Sequence, residues 1–537
     1  MITFTTPTKH DRPAGTHFAE PRPRHRAVLA HGSWRRVTRR IVCGLACALT
    51  VSSLLMPSIS LAAEWVDVGG TQYNAGTAAG DDAGTWSWDG ADDMKLNGYD
   101  GGAIKAEGKL NVSYSGNNTV TNENGRGILV MDGNAENAEL NIQGDASSTL
   151  NVTSSSDAIW SEGDINIDGA GTVNATSTEH DAIDAKGDLT IKGGGKVEAS
   201  SVEDEAIEVD ENIEISGGSQ VKASSEEDYA VNAEGSLTVT NASLNASGVG
   251  YGIYVYKGIT LDGATVTVRA SAESDDVSAL FTDEGDIVIK NGSIVDAFAE
   301  GEFSTAISTR NYNPNEAGGH IYISDSVVKA IARYAEIDGD GPACYSGDQD
   351  GEITPERRGV NIGIFAQTSE GITPATISIV RSTVTAEGDT AAIFALAMSA
   401  DGKAIGTIEI EGASILMPEG GKVIDYRHKE ELSDSTVYEA GQAIGTGDAV
   451  IDSPYDDAVA KRAVIAPSEE TKPEDSKPDS KPEGTKTTKT VATATVGTKT
   501  VGKLAATGDA SSAAIVATAL AGAAAIAAGA AVSRKRS

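Results

Sequence analysis

DAIDAKGDLTIKGGGKVEASSVED, residues 181–204, decides the fold, because closely similar blocks of 24 residues stand on either side of it. DAIWSEGDINIDGAGTVNATSTEH occupies 157–180, EAIEVDENIEISGGSQVKASSEED occupies 205–228, and YAVNAEGSLTVTNASLNASG follows from Tyr229. Self-similarity at a fixed period of this size marks a solenoid or a propeller. Within the block, Ile183/Ala185, Leu189/Ile191 and Val197/Ala199 recur at spacing two, and each pair is a minimal strand with one buried face. Between the pairs stand Gly187, Gly193, Gly194, Gly195, Ser200 and Ser201, residue types that accept a positive φ or bond to their own backbone and so turn corners. Three strands and three corners close one triangular coil. Successive coils pair at about 4.8 Å, so Ile159, Ile183, Ile207, Val231 and Ile253 form one inward column.

The sequence therefore predicts an all-β chain, a three-sided right-handed parallel β-helix. A left-handed β-helix would repeat every six residues, whereas here the copies are 24 apart and the three sides differ. An α-helical reading fails because no window carries apolar residues at i, i+3, i+4 and i+7. Less regular coils extend the array over residues 103–420, giving ten or eleven coils and a rod on the order of 50 Å long. Residues 64–102, with Trp65, Trp86 and Trp88, and residues 421–466 are expected to close the two ends, where bare strand edges would invite pairing.

The flanks read differently. Residues 1–63 join an Arg-rich stretch to the apolar run IVCGLACALTVSSLLM and the small-residue site SLAA, the pattern of a secretory signal. Cys43 and Cys47 would leave with it, so the mature chain would keep Cys344 alone and form no internal disulfide. Residues 467–503 are a Pro/Lys/Thr-rich spacer that cannot bury a core. The end of the chain combines LAATG (Leu504, Ala505, Ala506, Thr507, Gly508), about twenty small apolar residues over 513–532, and a basic tail. The apolar run is long enough to span a bilayer. This triple arrangement resembles the sortase sorting signal of Gram-positive surface proteins, with alanine in place of the usual proline, as in a variant from high-GC actinobacteria. The resemblance implies transient membrane anchoring by 513–532, cleavage by sortase after Thr507, and covalent linkage of Thr507 to peptidoglycan.

Formal charge is -36 over 537 residues, and the segments to be removed are basic, carrying +7 and +2, which leaves -45 on the wall-bound form. Nucleic-acid binding through a basic face is thereby excluded as a function. Acidic residues recur at one corner of the rod: Glu179 and Asp181, then Glu203, Asp204 and Glu205, then Glu226, Glu227 and Asp228, then Asp275 and Asp276. A further column follows at Asp184 and Glu208. Carboxylates stacked about 5 Å apart repel by roughly 1 kcal/mol per pair even in water, so such a ladder opposes coil stacking unless a cation relieves it. Hard oxygen ligands on turns suit calcium, with Asp157, Asp181, Asp184, Asp204, Glu205, Glu208 and Asp228 as candidate ligands. The bland alternative is a hydrated acidic edge. The insertion 336–359 carries Asp338, Asp340, Asp348, Asp350 and Glu352 but lacks the ligand spacing of an EF-hand.

Trp160, Tyr229, Tyr251, Tyr254 and Tyr256 fall on or beside the first strand of successive coils, and alternation turns Trp160 and Tyr254 outward, where rings can stack on sugars. A lyase or glycosidase would need an Arg beside the acidic set or a dedicated carboxylate pair. Arg269 and Arg381 are read as strand residues of coils without the acidic ladder, and the three histidines after the signal, His180, His320 and His428, are scattered. The repeat DAIDAKGDLTIKGGGKVEASS and the lead-in WSWDGADDMKLNGYDGGAIKAEG resemble a carbohydrate-binding β-helix family of cellulose-degrading clostridia, related in fold to pectate lyases. That resemblance implies non-catalytic binding of extracellular polysaccharide, with calcium and acidic sugars. It maps the family's acidic position onto Asp157, Asp181 and Glu205, and lapses at Tyr229 and Tyr251. Polysaccharide or host-glycan binding by a wall-anchored adhesin is the expectation, with a polysaccharide lyase or a protein-binding rod as alternatives.

Overall fold

The computed structural model describes residues 62–132, 138–272, 276–301, 303–334, 361–417, 422–432, 435–445 and 462–468. All belong to one compact unit, residues 1–469. The bulk of the signal, Asp275, Cys344 with its insertion, the spacer after residue 468, Leu504 to Gly508 and the span 513–532 lie outside the described residues. Among the described residues, no helix is long and apolar enough to cross a membrane.

Three sheets of 15, 14 and 13 strands form the sides of the β-helix. The first contains Ile183–Ala185, the second Leu189–Ile191 and the third Lys196–Ser201, so the three apolar pairs of the repeat each supply one side. Within the first sheet every pairing from Ile104–Glu107 to Ala391–Ser399 is parallel, eleven coils among the described residues. The inward column runs Ile104, Ile128, Ile159, Ile183, Ile207, Val231, Ile253, Leu280, Ile307, Ile364 and Ile393, each at most 1% exposed. Fully burying such a side chain stabilises by roughly 1.5–3 kcal/mol, so this stack is a principal source of cohesion.

The ends are antiparallel. Trp65–Val68 pairs with Thr71–Asn74, and the strand Trp86–Trp88 buries both tryptophans over the first coils. At the other end Ser435–Gly445 returns along Ala391–Ser399 and carries the paired strand Lys422–Leu432, while Arg462–Pro467 pairs antiparallel with Thr383–Glu387 and carries Ala413–Met417 as the edge of the third sheet.

The corner after the second sheet shows what holds the coils in register. Strand pairing places Gly169, Gly193, Gly217, Asn241, Gly263, Asn291, Asp325, Arg381 and Gly412 in one column, and all nine have positive φ. A Cβ on Gly193 would stand 2.3 Å from the Gly169 backbone nitrogen, so glycine is required there by space as well as by conformation. Arg381 is thus a corner residue rather than the strand residue expected from the sequence. Its left-handed backbone, φ 46°, ends the strand Thr376–Val380, and its guanidinium bonds to Asp325 one coil below at 2.7 and 2.8 Å.

Candidate functional site

The outer face of the first sheet is shaped by an irregularity repeated in coil after coil. Ala182 and Ile183 are adjacent, yet both are fully buried. Ala158/Ile159, Ala206/Ile207 and Ala230/Val231 repeat the arrangement, and Gly252 precedes Ile253 in the same way. The ladder skips this small residue in the better-formed later coils, where Tyr251 pairs with Ser278 and Ile253 with Leu280. Two consecutive inward residues amount to a bulge, and a bulge returns positions three apart to the same outer face. Only a small residue fits the first inward place: a Cβ on Gly252 would meet Val268 Cγ1 of the opposite wall at 2.4 Å.

Two outward columns result. One runs Asp157, Asp181, Glu205, Tyr229, Tyr251, Ser278, Thr305, Ile362, Ala391; the other runs Trp160, Asp184, Glu208, Asn232, Tyr254, Phe281, Ser308, Phe365, Phe394. The face therefore changes character along the rod, from carboxylates to tyrosines, then hydroxyls, then apolar rings.

Asp157, Asp181 and Asp184 bring one carboxylate oxygen each within 4.8 Å of the others, and all three are buried. Glu205 and Glu208 follow one coil on, and both charges act on Asp181. Two cations that sequence reading did not pick out already stand among them. Arg126 Nε donates to Asp157, and Lys186 Nζ lies 2.9 Å from Asp184, 3.4 Å from Asp210 and 3.6 Å from Glu208. Six carboxylates against two cations leave the cluster short of positive charge.

Its titration reflects this. Burial, then the charges of Glu208, Glu205 and Asp184, drives Asp181 well above the usual carboxylate range. Burial pushes Asp184 up to about 7 against the pull of Lys186, and burial with the Asp228 and Glu208 charges pushes Glu205 up to about 7. Lys186 loses from burial but gains more from Asp184 and Glu208, so its ammonium is held above its ordinary range.

The residues fit a hard cation. Asp181 Oδ1 is buried without a hydrogen-bond partner, and carboxylate oxygens are the donors calcium prefers. Asp228 is close enough to raise Glu205, although its Oδ1 accepts the Tyr229 N–H at 2.8 Å. Asp204 turns to the neighbouring corner, where it faces His180 Nδ1 at 3.2 Å.

The aromatic residues divide similarly. Tyr229, Tyr251 and Tyr254 form one platform: Tyr229 stacks on Tyr254 with centroids 5.8 Å apart, and Tyr251 meets both edge-on at 4.9 and 5.3 Å. Phe281 continues it at 5.3 Å from Tyr251 and 5.4 Å from Tyr254. Phe281 escaped notice in the sequence, although it is the next member of the Tyr254 column. Tyr256 is the outward neighbour of Tyr254 on the same coil. Trp160 differs, because the Arg126 guanidinium covers its ring at 4.1 Å.

Residues 95–329 match the model of a family described as carbohydrate-binding domain-containing protein. The match supports a carbohydrate-binding domain over that segment, which includes the carboxylate cluster and the tyrosine platform. Comparison with curated proteins and with solved structures returns no match. The arginines considered for lyase chemistry stand elsewhere, Arg269 in the third sheet bonded to Asp296 and Arg381 at the corner described above, whereas Arg126 does stand beside the acidic set, tied to Asp157 and laid over Trp160.

Proposed function

We propose that the protein binds polysaccharide without cleaving it, on the outer face of the first sheet, through a calcium-bridged carboxylate site at Asp157, Asp181 and Asp184 and the adjoining rings of Tyr229, Tyr251 and Tyr254. The observation that carries the reading is the continuity of the two clusters: strand register joins Asp184 to Glu208, Asn232 and Tyr254 in one column. Glu205 and Glu208 extend the cation site by one coil. Calcium held there lends its charge to a ligand carboxylate or hydroxyl, and the tyrosines offer apolar faces with polar tips to sugar rings.

The sorting signal at Leu504 to Gly508 supports display of this rod on the wall of a Gram-positive cell, with Thr507 joined to peptidoglycan by sortase, as an adhesin for polysaccharide or host glycan. Titration of the full chain with polyuronide and neutral glycans, in calcium and in EDTA, tests the binding reading. Calcium-dependent binding without new reducing ends or unsaturated uronide is expected. Binding to no glycan under either condition would sink it.

A further inference from the structure

Beyond the tyrosines, the same outer face reaches a second polar place. Ser278, Thr305 and Ser308 are buried and joined by hydroxyl contacts of 2.8, 2.9 and 2.8 Å. Ser308 continues the column of Tyr254 and Phe281, and Arg310 stands two residues on, outward of the same coil. The Arg310 guanidinium lies over the Phe281 ring at 5.6 Å. Its Nη1 reaches Asp276 at 3.3 Å, a single hydrogen bond among the described residues for a group with five donors, and its Nε is buried without a partner there. Thr305, Arg310, Phe365, Gln367 and Phe394 line a cavity of about 240 Å³ beside it, together with the carboxylates of Asp276 and Glu439. Arg310 with its spare donors, an amide and two aromatic rings can receive a ring whose anionic group takes the place of Asp276 on the guanidinium, against the opposing charges of Asp276 and Glu439.

The position of the cavity bears on the ligand. From Asp184 the column passes through Glu208, Asn232, Tyr254 and Phe281 to Ser308, five coil steps, or about 24 Å at the ordinary strand spacing. Both places lie on one unbroken face, and the tyrosines occupy the interval. A ligand that touched both would have to run along the rod axis, across the strands.

We propose that the Arg310 cavity is a second, metal-independent subsite for a uronic acid residue of the same polysaccharide chain, whose carboxylate pairs with Arg310 while the chain lies along the rod axis toward the carboxylate cluster. The proposal rests on the polysaccharide-binding reading and adds to it a second subsite, a direction and a division of labour. One end of the face engages the acidic chain through calcium, and the other engages it directly through a guanidinium.

The two ends are separable by experiment. Galacturonic acid oligomers, one short and one long enough to reach both places, are titrated into the full chain in calcium and in EDTA, with neutral oligomers of equal length as controls. Residual binding of the acidic oligomers in EDTA is expected. Arg310→Gln should weaken it about tenfold, a loss of one charge-assisted pair, and Asp276→Asn, which removes the carboxylate bonded to Arg310, should strengthen it severalfold. In calcium, Arg310→Gln should weaken the long oligomer and spare the short one. Acidic oligomers that bind in calcium alone would overturn the subsite and leave the calcium reading standing. No binding in either buffer would overturn both. Equal retention of neutral oligomers in EDTA, or EDTA-resistant binding unmoved by both substitutions in chains with wild-type melting behaviour, would also overturn it.

Discussion

Asp181 and Asp184 lie on the same side of the sheet although they are three positions apart, because Ala182 and Ile183 both turn inward. In a regular strand, positions three apart face opposite ways. The bulge converts a sequence spacing that ought to divide the two carboxylates into one that gathers them, and it does so beside Asp157 of the preceding coil.

Metal dependence follows from that gathering. Calcium should raise the melting temperature of the full chain, and saturation at a hundred times Kd corresponds to about 2.7 kcal/mol. Asp181→Asn with Asp184→Asn should abolish the calcium response while leaving the metal-free protein at least as stable, since it removes buried like charges. A calcium-induced rise that survives the double substitution would place the cation elsewhere.

The pH dependence has a definite sign. Asp184 and Glu205 are held up to about 7 in the folded chain, against unfolded values of about 4. The folded state therefore holds more protons between those limits, so stability in EDTA should fall as pH rises from about 4 to about 7 and level off above. For Asp184 the shift from 3.8 to about 7 corresponds to roughly 4 kcal/mol. Thermal melts across this range should show a shallower slope for Asp184→Asn. Calcium affinity should run the other way and strengthen toward pH 8, as protons leave the ligands.

Much of this arrangement is legible in the sequence. The 24-residue period alone places Ile183 over Ile159 and Asp181 over Asp157, and it identifies Asp184 and Glu208 as a column of their own. Other parts are hidden for physical reasons. The period slips to 22 between Val231 and Ile253, to 27 between Ile253 and Leu280, and to 57 between Ile307 and Ile364, so Phe281 and Arg310 can be aligned with Tyr254 and Tyr256 only once strand register is known. The inward turn of Ala182 is silent in a pattern of alternating apolar residues. Arg126 lies 31 residues from Asp157 in a coil too irregular for the repeat to reveal.

Packing at the bulge can be tested at Gly252. Valine there would drive its side chain toward Val268 Cγ1 and the Ala279 carbonyl oxygen, 2.4 and 2.8 Å from the Cβ position. Gly252→Val should cost about 1–3 kcal/mol, the usual range for overpacking, read as a lower denaturant midpoint. Gly218, whose Cβ position is open, provides the contrast: with φ at 82°, a substitution there strains the backbone without any clash.

The tyrosine platform should carry glycan affinity unequally. Tyr251→Ala removes the ring that touches Tyr229, Tyr254 and Phe281 together. It should weaken polysaccharide binding about tenfold, or roughly 1.4 kcal/mol. Trp160→Phe should leave that affinity within about twofold of wild type, because Arg126 already occupies the indole face. Isothermal titration with one glycan against both variants would show the difference, and equal losses would refute the distinction.

The column of nine left-handed residues from Gly169 to Gly412 has a metrical consequence. Each coil must pass through the same sharp turn, so the chain can gain or lose length on this face only by whole coils, while insertions between strands project sideways and leave the face unchanged. The distance from Asp184 to Arg310 is therefore quantised in steps of about 4.8 Å. The protein behaves as a ruler with fixed graduations, and any polymer read along it is measured in whole coils.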